Sequence, residues 1–338
     1  MQKVEQIAAP GTAAAGSSAA LFAVSVAFCA VAALAIGGFP LQASILTIFL
    51  FAGVHNFMEF RYFLARMPLV WGRSTVYYSV AIFGTIALTA GYLAIYFLGG
   101  NWLWSLVSWQ TAVSGWNTLF ILWVGLLFHL RAKQKPGYEG SPAMPVAFFV
   151  AGVAWLAPAY WSISLVYVHP LIALWFLDRQ IRRTRPEWLS AYRLVLASVP
   201  LFLIGLWAAL STRPDLPADS ALFWRIAQHA GGGILPGLST HFLVTAHVFL
   251  ETLHYAAWIV LIPLVDRRAI PWRFGSIPLF AKKNGYPKLV AAGVALSAFL
   301  VFVLWAGFSI DYSTTRDIYF AFAIAHVLAE FPFLVKMS

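Results

Sequence analysis

The chain has 338 residues, of which 61% are hydrophobic and only 10% are charged, and its formal net charge is +10. With a mean hydropathy of +0.79, this composition excludes a soluble globular domain and predicts an all-α polytopic integral membrane protein. The basic residues lie in short segments between apolar runs, where they set membrane topology, so no nucleic-acid partner is expected. The one cysteine, Cys29, excludes a disulfide framework and a CxxC motif.

The apolar runs follow a short N-terminal segment. Residues 1–16 are small and polar, which predicts a disordered tail, and residues 17–338 are expected to form one helical bundle. A membrane-spanning helix needs about 20 mostly apolar residues. The sequence predicts about ten such helices: 17–36, 40–62, 74–98, 103–130, 144–160, 163–179, 190–210, 239–265, 287–308 and 316–335. Prolines interrupt the fifth and sixth, which are therefore either two short helices or one kinked helix.

Basic residues are concentrated in alternate loops of this arrangement. The loops around Arg66, Arg131, Arg183 and Arg268 fall on one side of the membrane, and the loops between them carry little or mixed charge. The positive-inside rule makes that side cytoplasmic and, with an even number of helices, places both termini there. The expected location is a cytoplasmic membrane of the bacterial inner-membrane type.

Three predicted spans carry a histidine four residues before a glutamate: His55 and Glu59, His247 and Glu251, and His326 and Glu330. His254 follows three residues after Glu251, and residues with these spacings lie on one face of a helix. With eight histidines in 338 residues, the triple coincidence has a chance on the order of one in 10⁵. We therefore interpret the pattern as a site, and expect the stripes to converge in one cavity in the cytoplasmic half of the membrane.

The residue types predict a metal centre. An ionised side chain at the centre of a spanning helix costs about 2.5–3.5 kcal/mol on insertion scales, so it needs a compensating partner. A metal ion keeps several carboxylates ionised and several imidazoles neutral at once. Imidazole and carboxylate without thiolate favour one or two iron ions, ahead of manganese or zinc. The predicted ligands are His55, Glu59, His247, Glu251, His254, His326 and Glu330, and the three glutamates are the predicted catalytic groups.

Neighbouring residues give weaker signals. Tyr62 lies seven residues after His55, and Tyr319 lies seven before His326, so both are candidates to line a cofactor pocket. Aromatic residues make up 17% of the chain, so such positions also arise by chance. The remaining four histidines are expected outside the metal site: His129, His169, His229 and His241.

This pattern favours a membrane-bound oxidoreductase that uses iron on a lipophilic substrate, by oxygenation, hydroxylation, desaturation or cleavage. Such an enzyme needs an electron donor, and membrane lipids surround it. In ligand chemistry and lipid setting the constellation resembles the membrane-bound iron oxygenases, which include desaturases, hydroxylases and carotene-cleaving dioxygenases. It lacks their HxxxH and HxxHH boxes, so the resemblance assigns no role to any residue.

Three alternatives stay open. A proton- or cation-coupled transporter uses His and Glu chains as relays, although no inverted repeat is visible. A haem b electron-transfer bundle needs two axial histidines but leaves the glutamates unexplained. Hydrogen bonds between helices would give rigidity alone. The segments 41–51, 242–246 and 318–325 are nearly apolar, so we expect the site to be sealed from the outside, which favours the enzyme over the transporter.

Overall fold

The computed structural model describes residues 11–98, 108–135, 140–281 and 283–337, with side chains from residue 18 onward, and contains no strand in these ranges. The helices are α1 (Gly11–Gly38), α2 (Pro40–Leu64), α3 (Thr75–Leu98), α4 (Trp109–Ala132), α5 (Ala143–Leu156), α6 (Pro158–Thr184), α7 (Leu189–Leu210), α8 (Ala221–His229), α9 (Thr240–Ala256), α10 (Ile262–Val265), α11 (Pro287–Ile310) and α12 (Tyr312–Met337). A π-helical turn, Ala257–Leu261, connects α9 to α10.

Nine segments of the described chain are long and apolar enough to cross a membrane: Ser18–Gly38, Pro40–Leu64, Gly72–Phe97, Trp109–Ala132, Pro158–Thr184, Pro186–Leu210, Thr240–Val265, Pro287–Ile310 and Tyr312–Met337. Their outward faces are apolar, and Leu34, Leu289 and Ile310 are 78%, 72% and 86% exposed. Extensive exposed apolar surface of this kind fits contact with lipid. The all-α, polytopic membrane architecture predicted from composition is therefore supported.

The number of long helices differs from the ten predicted. The fifth predicted span is the 14-residue helix α5, about 21 Å long, whereas a bilayer core is about 30 Å thick. The backbone leaves the helical conformation at Ala157, and Pro158 starts α6, because a proline disfavours helical geometry in the residue before it. Pro170 lies inside α6 without ending it.

The N-terminal helix and the fourth predicted span also differ from the sequence-based boundaries. Helix α1 begins at Gly11 and therefore includes residues 11–16, which were assigned to the disordered tail; residues 1–10 lie outside the described residues. The span predicted at 103–130 is observed as α4, and residues 103–107 are likewise not described.

The residue contacts divide the chain into two compact units, and the single helical bundle expected for residues 17–338 stays a prediction. The first unit comprises Met1–Thr47 and Pro170–Arg267, and the second comprises Ile48–His169 and Arg268–Ser338. Each unit thus joins segments that are far apart in sequence. Composition and local periodicity contain no information about such pairing.

In the first unit, α1, α7 and α9 pack together, and polar contacts anchor the start of α9. The ring Nε2 of His241 donates a hydrogen bond to the carbonyl of Gly37 in α1, at 3.0 Å. The carboxylate of Asp215 accepts hydrogen bonds from the backbone nitrogen of Thr240, at 2.7 Å, and from its hydroxyl, at 2.9 Å. The N-terminal turn of the helix that carries His247 is therefore held by the Asp215 side chain and by the backbone carbonyl of Gly37.

In the second unit, polar contacts anchor the C-terminal ends of α2 and α12, the two helices that carry His-Glu pairs. Buried Arg61, near the end of α2, donates hydrogen bonds to the carbonyls of Pro271, at 3.0 Å, and Arg273, at 2.8 Å. Near the end of α12, Lys336 donates hydrogen bonds to the Ser74 hydroxyl, at 2.9 Å, and to the Gln134 side-chain oxygen, at 3.0 Å. These contacts fix the axial positions of α2 and α12.

The contact between Asp215 and Thr240 predicts a pH effect. The two hydrogen bonds lower the pKa of Asp215. A carboxylate with a lowered folded-state pKa stabilises the fold above its unfolded-state pKa, and this stabilisation is lost as the pH falls through the folded-state value. After correction for intrinsic exchange rates, amide protection in the first turn of α9 should fall below about pH 4. Asp215→Ala should show low protection already at neutral pH, and Asp219→Ala, in the same loop, should not. Wild-type protection that is constant with pH would contradict this assignment.

Two glycines of α3 predict opposite effects of the same substitution. A Cβ at Gly84 would overlap the buried indole of Trp123, whose Nε1 donates a hydrogen bond to the carbonyl of Val80 at 3.0 Å. We expect Gly84→Ala to lower the free energy of unfolding by about 1–3 kcal/mol, as overpacking does. A Cβ at Gly91 would lie 3.7 Å from Trp116, an ordinary contact, so Gly91→Ala should be neutral or stabilising. Thermal unfolding in detergent compares them, and equal midpoints would refute the packing argument.

Candidate metal centre

Two helices of the second unit bring three potential metal ligands together. His55 and Glu59 lie one turn apart on α2, and His326 lies on α12. One ligand atom from each of these residues lies within 4.8 Å of the other two. Ligand atoms that bind a metal at about 2.0–2.2 Å lie at most about 4.4 Å apart, so small side-chain adjustments would bring all three onto one ion.

The polar atoms of this group are enclosed by protein. His55 is 2% exposed and Glu59 is 1% exposed. Neither carboxylate oxygen of Glu59 and neither ring nitrogen of His326 has a hydrogen-bond partner among the described residues. Buried polar groups are nearly always satisfied, and a buried carboxylate needs a counter-charge. A bound cation would meet both requirements at once.

A backbone contact selects the tautomer of His55. Its Nδ1 lies 3.2 Å from the carbonyl oxygen of Phe51, one turn earlier on α2. A carbonyl can only accept, so Nδ1 carries the proton and the lone pair of the neutral ring is on Nε2. Metal-binding histidines are commonly oriented by such a contact. The rings of His55 and His326 meet edge to face, with centroids 5.2 Å apart.

A second carboxylate and a third histidine lie beside this group. Glu330 is fully buried, and its Oε2 is 3.1 Å from Nδ1 of His169 on α6. Glu330 also interacts electrostatically with Glu59, and the His169 ring lies 5.3 Å from that of His326. His169 therefore lies beside the group and contacts Glu330, and its expected position outside the ligand set stays a prediction. Two neighbouring carboxylates that are both ionised repel each other, which again favours a cation or a shared proton.

The two tyrosines differ in their surroundings. Tyr62 is fully buried, and the guanidinium of Arg66 covers its ring at 3.3 Å from the centroid. Tyr319 belongs to an apolar cluster with Ile48, Ala52 and Phe308. These contacts give Tyr319 a packing role and leave a role of either tyrosine in cofactor binding as a prediction.

The remaining predicted ligands lie in the first unit, on α9. Nδ1 of His247 is 3.8 Å from Oε2 of Glu251, which is longer than a hydrogen bond. His254 is 2% exposed. The ring of His229, at the end of α8, meets that of His247 with centroids 5.0 Å apart. His229, which is expected outside the metal site, therefore contacts one of the predicted ligands. Metal binding by His247, Glu251 and His254 stays a prediction.

Sequence reasoning missed His169, His229 and Arg61 for different reasons. His169 and His229 have no acidic residue at helical spacing, so no local pattern marks them. Arg61 lies within α2 and is fully buried, although most basic residues of the chain lie between the apolar runs. Its position two residues after Glu59, inside an apolar run, was the available signal, because a charge there needs partners within the protein.

The donor set indicates the chemistry that this group could support. Two imidazoles and one carboxylate form the ligand set of non-haem iron(II) oxygenases, which leaves coordination positions open. His169 and Glu330 provide a neighbouring pair between which a proton can move. Comparisons with protein-family models, curated proteins and solved structures found no match to this chain.

The group predicts which substitutions remove bound metal. Glu59→Gln keeps the side-chain shape but removes the charge, so metal content should fall to background and added iron(II) should no longer raise the thermal midpoint. Without metal, the variant should be at least as stable as the wild type, because an uncompensated buried charge is gone. His129→Ala changes a half-buried histidine of α4 outside the group and should retain metal. Equal metal content in both variants, measured by mass spectrometry, would exclude Glu59 as a ligand.

Proposed function

We propose that this protein is a membrane-embedded non-haem iron oxidoreductase that acts on a lipophilic substrate. The observation that carries the proposal is the set of ligand atoms from His55, Glu59 and His326, within 4.8 Å of one another, on helices of membrane-spanning length. Manganese and zinc are the next candidates for such a donor set. The ligand and catalytic roles predicted for Glu251, His247 and His254 are retained as part of the proposal.

Each residue has a defined task in this proposal. Bound iron would supply dioxygen activation at its open coordination positions. His55 would present Nε2, because the carbonyl of Phe51 holds the proton on Nδ1. Glu59 would neutralise part of the metal charge. Glu330 would accept or deliver protons through its contact with Nδ1 of His169, and so act as the acid/base group.

The setting of the group supports a lipophilic substrate. The helices that carry it are apolar along most of their length, and a water-excluding site suits a hydrocarbon reactant while protecting reactive species. A reaction with dioxygen also requires electrons, so a redox partner on the cytoplasmic side is part of the proposal. Two termini on the same side of a membrane require an even number of crossings, and nine long spans are described. The proposal that both termini are cytoplasmic, in a bacterial-type membrane, therefore requires the short helix α5 to cross as a tenth segment.

A proton-coupled transporter is the second candidate, and one observation favours it. His229, His247 and Glu251 form a row of protonatable side chains in the first unit, as in a proton relay. The haem alternative is disfavoured, because the edge-to-face contact of His55 with His326 leaves no room for a porphyrin between the two rings. Haem binding by other histidines would need a different pair of rings that face each other across the porphyrin.

Purified protein in lipid nanodiscs distinguishes these functions. We expect about one iron per chain from the second-unit ligand set, no Soret band, and a nitric oxide adduct of the iron(II) form with the high-spin electron paramagnetic resonance signal of a non-haem site. His326→Ala should remove the signal and His129→Ala should not. The transporter would replace the enzyme proposal if the purified protein contained no metal, carried a proton flux in proteoliposomes and lost that flux in His247→Ala.

A further inference from the structure

The first unit contains an apolar cavity of about 290 Å³. Its walls come from α1, α6, α7, the end of α9 and the turn that leads into α10, with Cys29, Leu177, Val195 and Leu253 among the lining residues. No charged side chain lines it within the part of the chain described. The hydroxyl of Tyr192, one of its few polar groups, donates a hydrogen bond to the carbonyl of Leu174 at 2.7 Å.

A cavity with these walls is not suited to water or to a charged ligand. Water needs two to four polar partners, and apolar cavities stay dry or bind hydrocarbon. Apolar walls gain dispersion energy only from atoms that lie against them. A hydrocarbon occupant supplies these contacts without leaving any polar group unpaired.

The rim of the cavity indicates where an occupant would come from. Val24, Phe28 and Val260 line it and are 69%, 42% and 56% exposed. They lie on segments of membrane-spanning length, so the rim faces hydrocarbon and not an aqueous phase. Val260 and Leu261 belong to the π-helical turn, and π-helical turns are frequent at functional sites.

We propose that this cavity binds a single hydrocarbon chain, the tail of a membrane lipid or of a lipid-like molecule whose head group stays outside. Recognition is by shape and dispersion, because burial from lipid into protein brings no hydrophobic gain. The site lies wholly within the first unit and needs no metal, so it goes beyond the proposed oxidoreductase and can be tested independently of it.

Photocrosslinking tests the site directly. The wild-type chain in nanodiscs is irradiated with a 16-carbon fatty acid or a farnesyl alcohol, each with a diazirine in its chain, and adducts are mapped by mass spectrometry. We expect adducts on the lining residues of α1 and α7. The straight-chain and the branched probe should differ in yield, and the one whose chain matches the shape of the cavity should give more adduct. Ala256→Phe, which fills the cavity, should lose them, and Leu264→Phe, on an exposed position that does not line it, should keep them. Equal adduct yields in the two variants would overturn the proposal.

The single cysteine provides a second measurement that needs no cavity-filling variant. Cys29 lines the cavity and is 2% exposed, whereas Val31, on the same helix, is 66% exposed. Saturation with the better probe should slow alkylation of Cys29 by monobromobimane, and should leave the rate unchanged for a cysteine introduced by Val31→Cys in a Cys29→Ala background. Unchanged labelling of Cys29, or equal slowing at both positions, would show general lipid contact and contradict a defined site.

Discussion

Ionisable side chains within membrane-spanning helices must be enclosed by protein and electrically compensated, and this constraint organises the structure. The two spans with the largest buried fraction, 50% for Pro40–Leu64 and 56% for Thr240–Val265, both carry a His-Glu pair. By contrast, the span Pro287–Ile310 carries no His-Glu pair, and only 17% of it is buried. Helices without internal charge can face lipid, because apolar side chains lose nothing there. In the third span with a His-Glu pair, Tyr312–Met337, only 33% is buried, yet Glu330 itself is 0% exposed. The glutamate is enclosed even where its helix is not, since the cost of an exposed carboxylate in hydrocarbon is several kcal/mol.

Enclosure by other helices does not compensate the charges of the glutamates, so compensation depends on which side chains lie next to them in the second unit. Glu59 and Glu330 interact with each other, and the histidines around them offer lone pairs when neutral. A cation at this group would require little rearrangement, because the anchored ends of α2 and α12 already hold the potential ligands close together. Arg61 and Lys336 supply these anchors through hydrogen bonds to connecting segments and neighbouring helices. Preorganisation of this kind distinguishes a binding site from polar residues that merely share a bundle.

What could be predicted from the sequence was local. Hydropathy located the long helices, and the four-residue spacing correctly placed His55 and Glu59 on one helical face, because both properties depend on neighbours within a few turns. The end of α5 was less certain, since Pro145 and Pro158 have the same local signature, but only Pro158 coincides with a break between helices. His169 could not be assigned, because its partners lie far away in sequence and only tertiary packing brings it to Glu330.

The spacing of a histidine four residues before a glutamate occurs in both units, but its surroundings differ. The spacing by itself therefore does not determine a function. In the second unit, the His-Glu pair of α2 meets a histidine from another helix, and three ligand atoms come within 4.8 Å. In the first unit, the pair of α9 is 3.8 Å apart and meets the ring of His229 edge to face. A histidine four residues before a glutamate therefore guarantees a shared face and nothing more. Whether that face binds a metal or passes a proton depends on which group a neighbouring helix places opposite it.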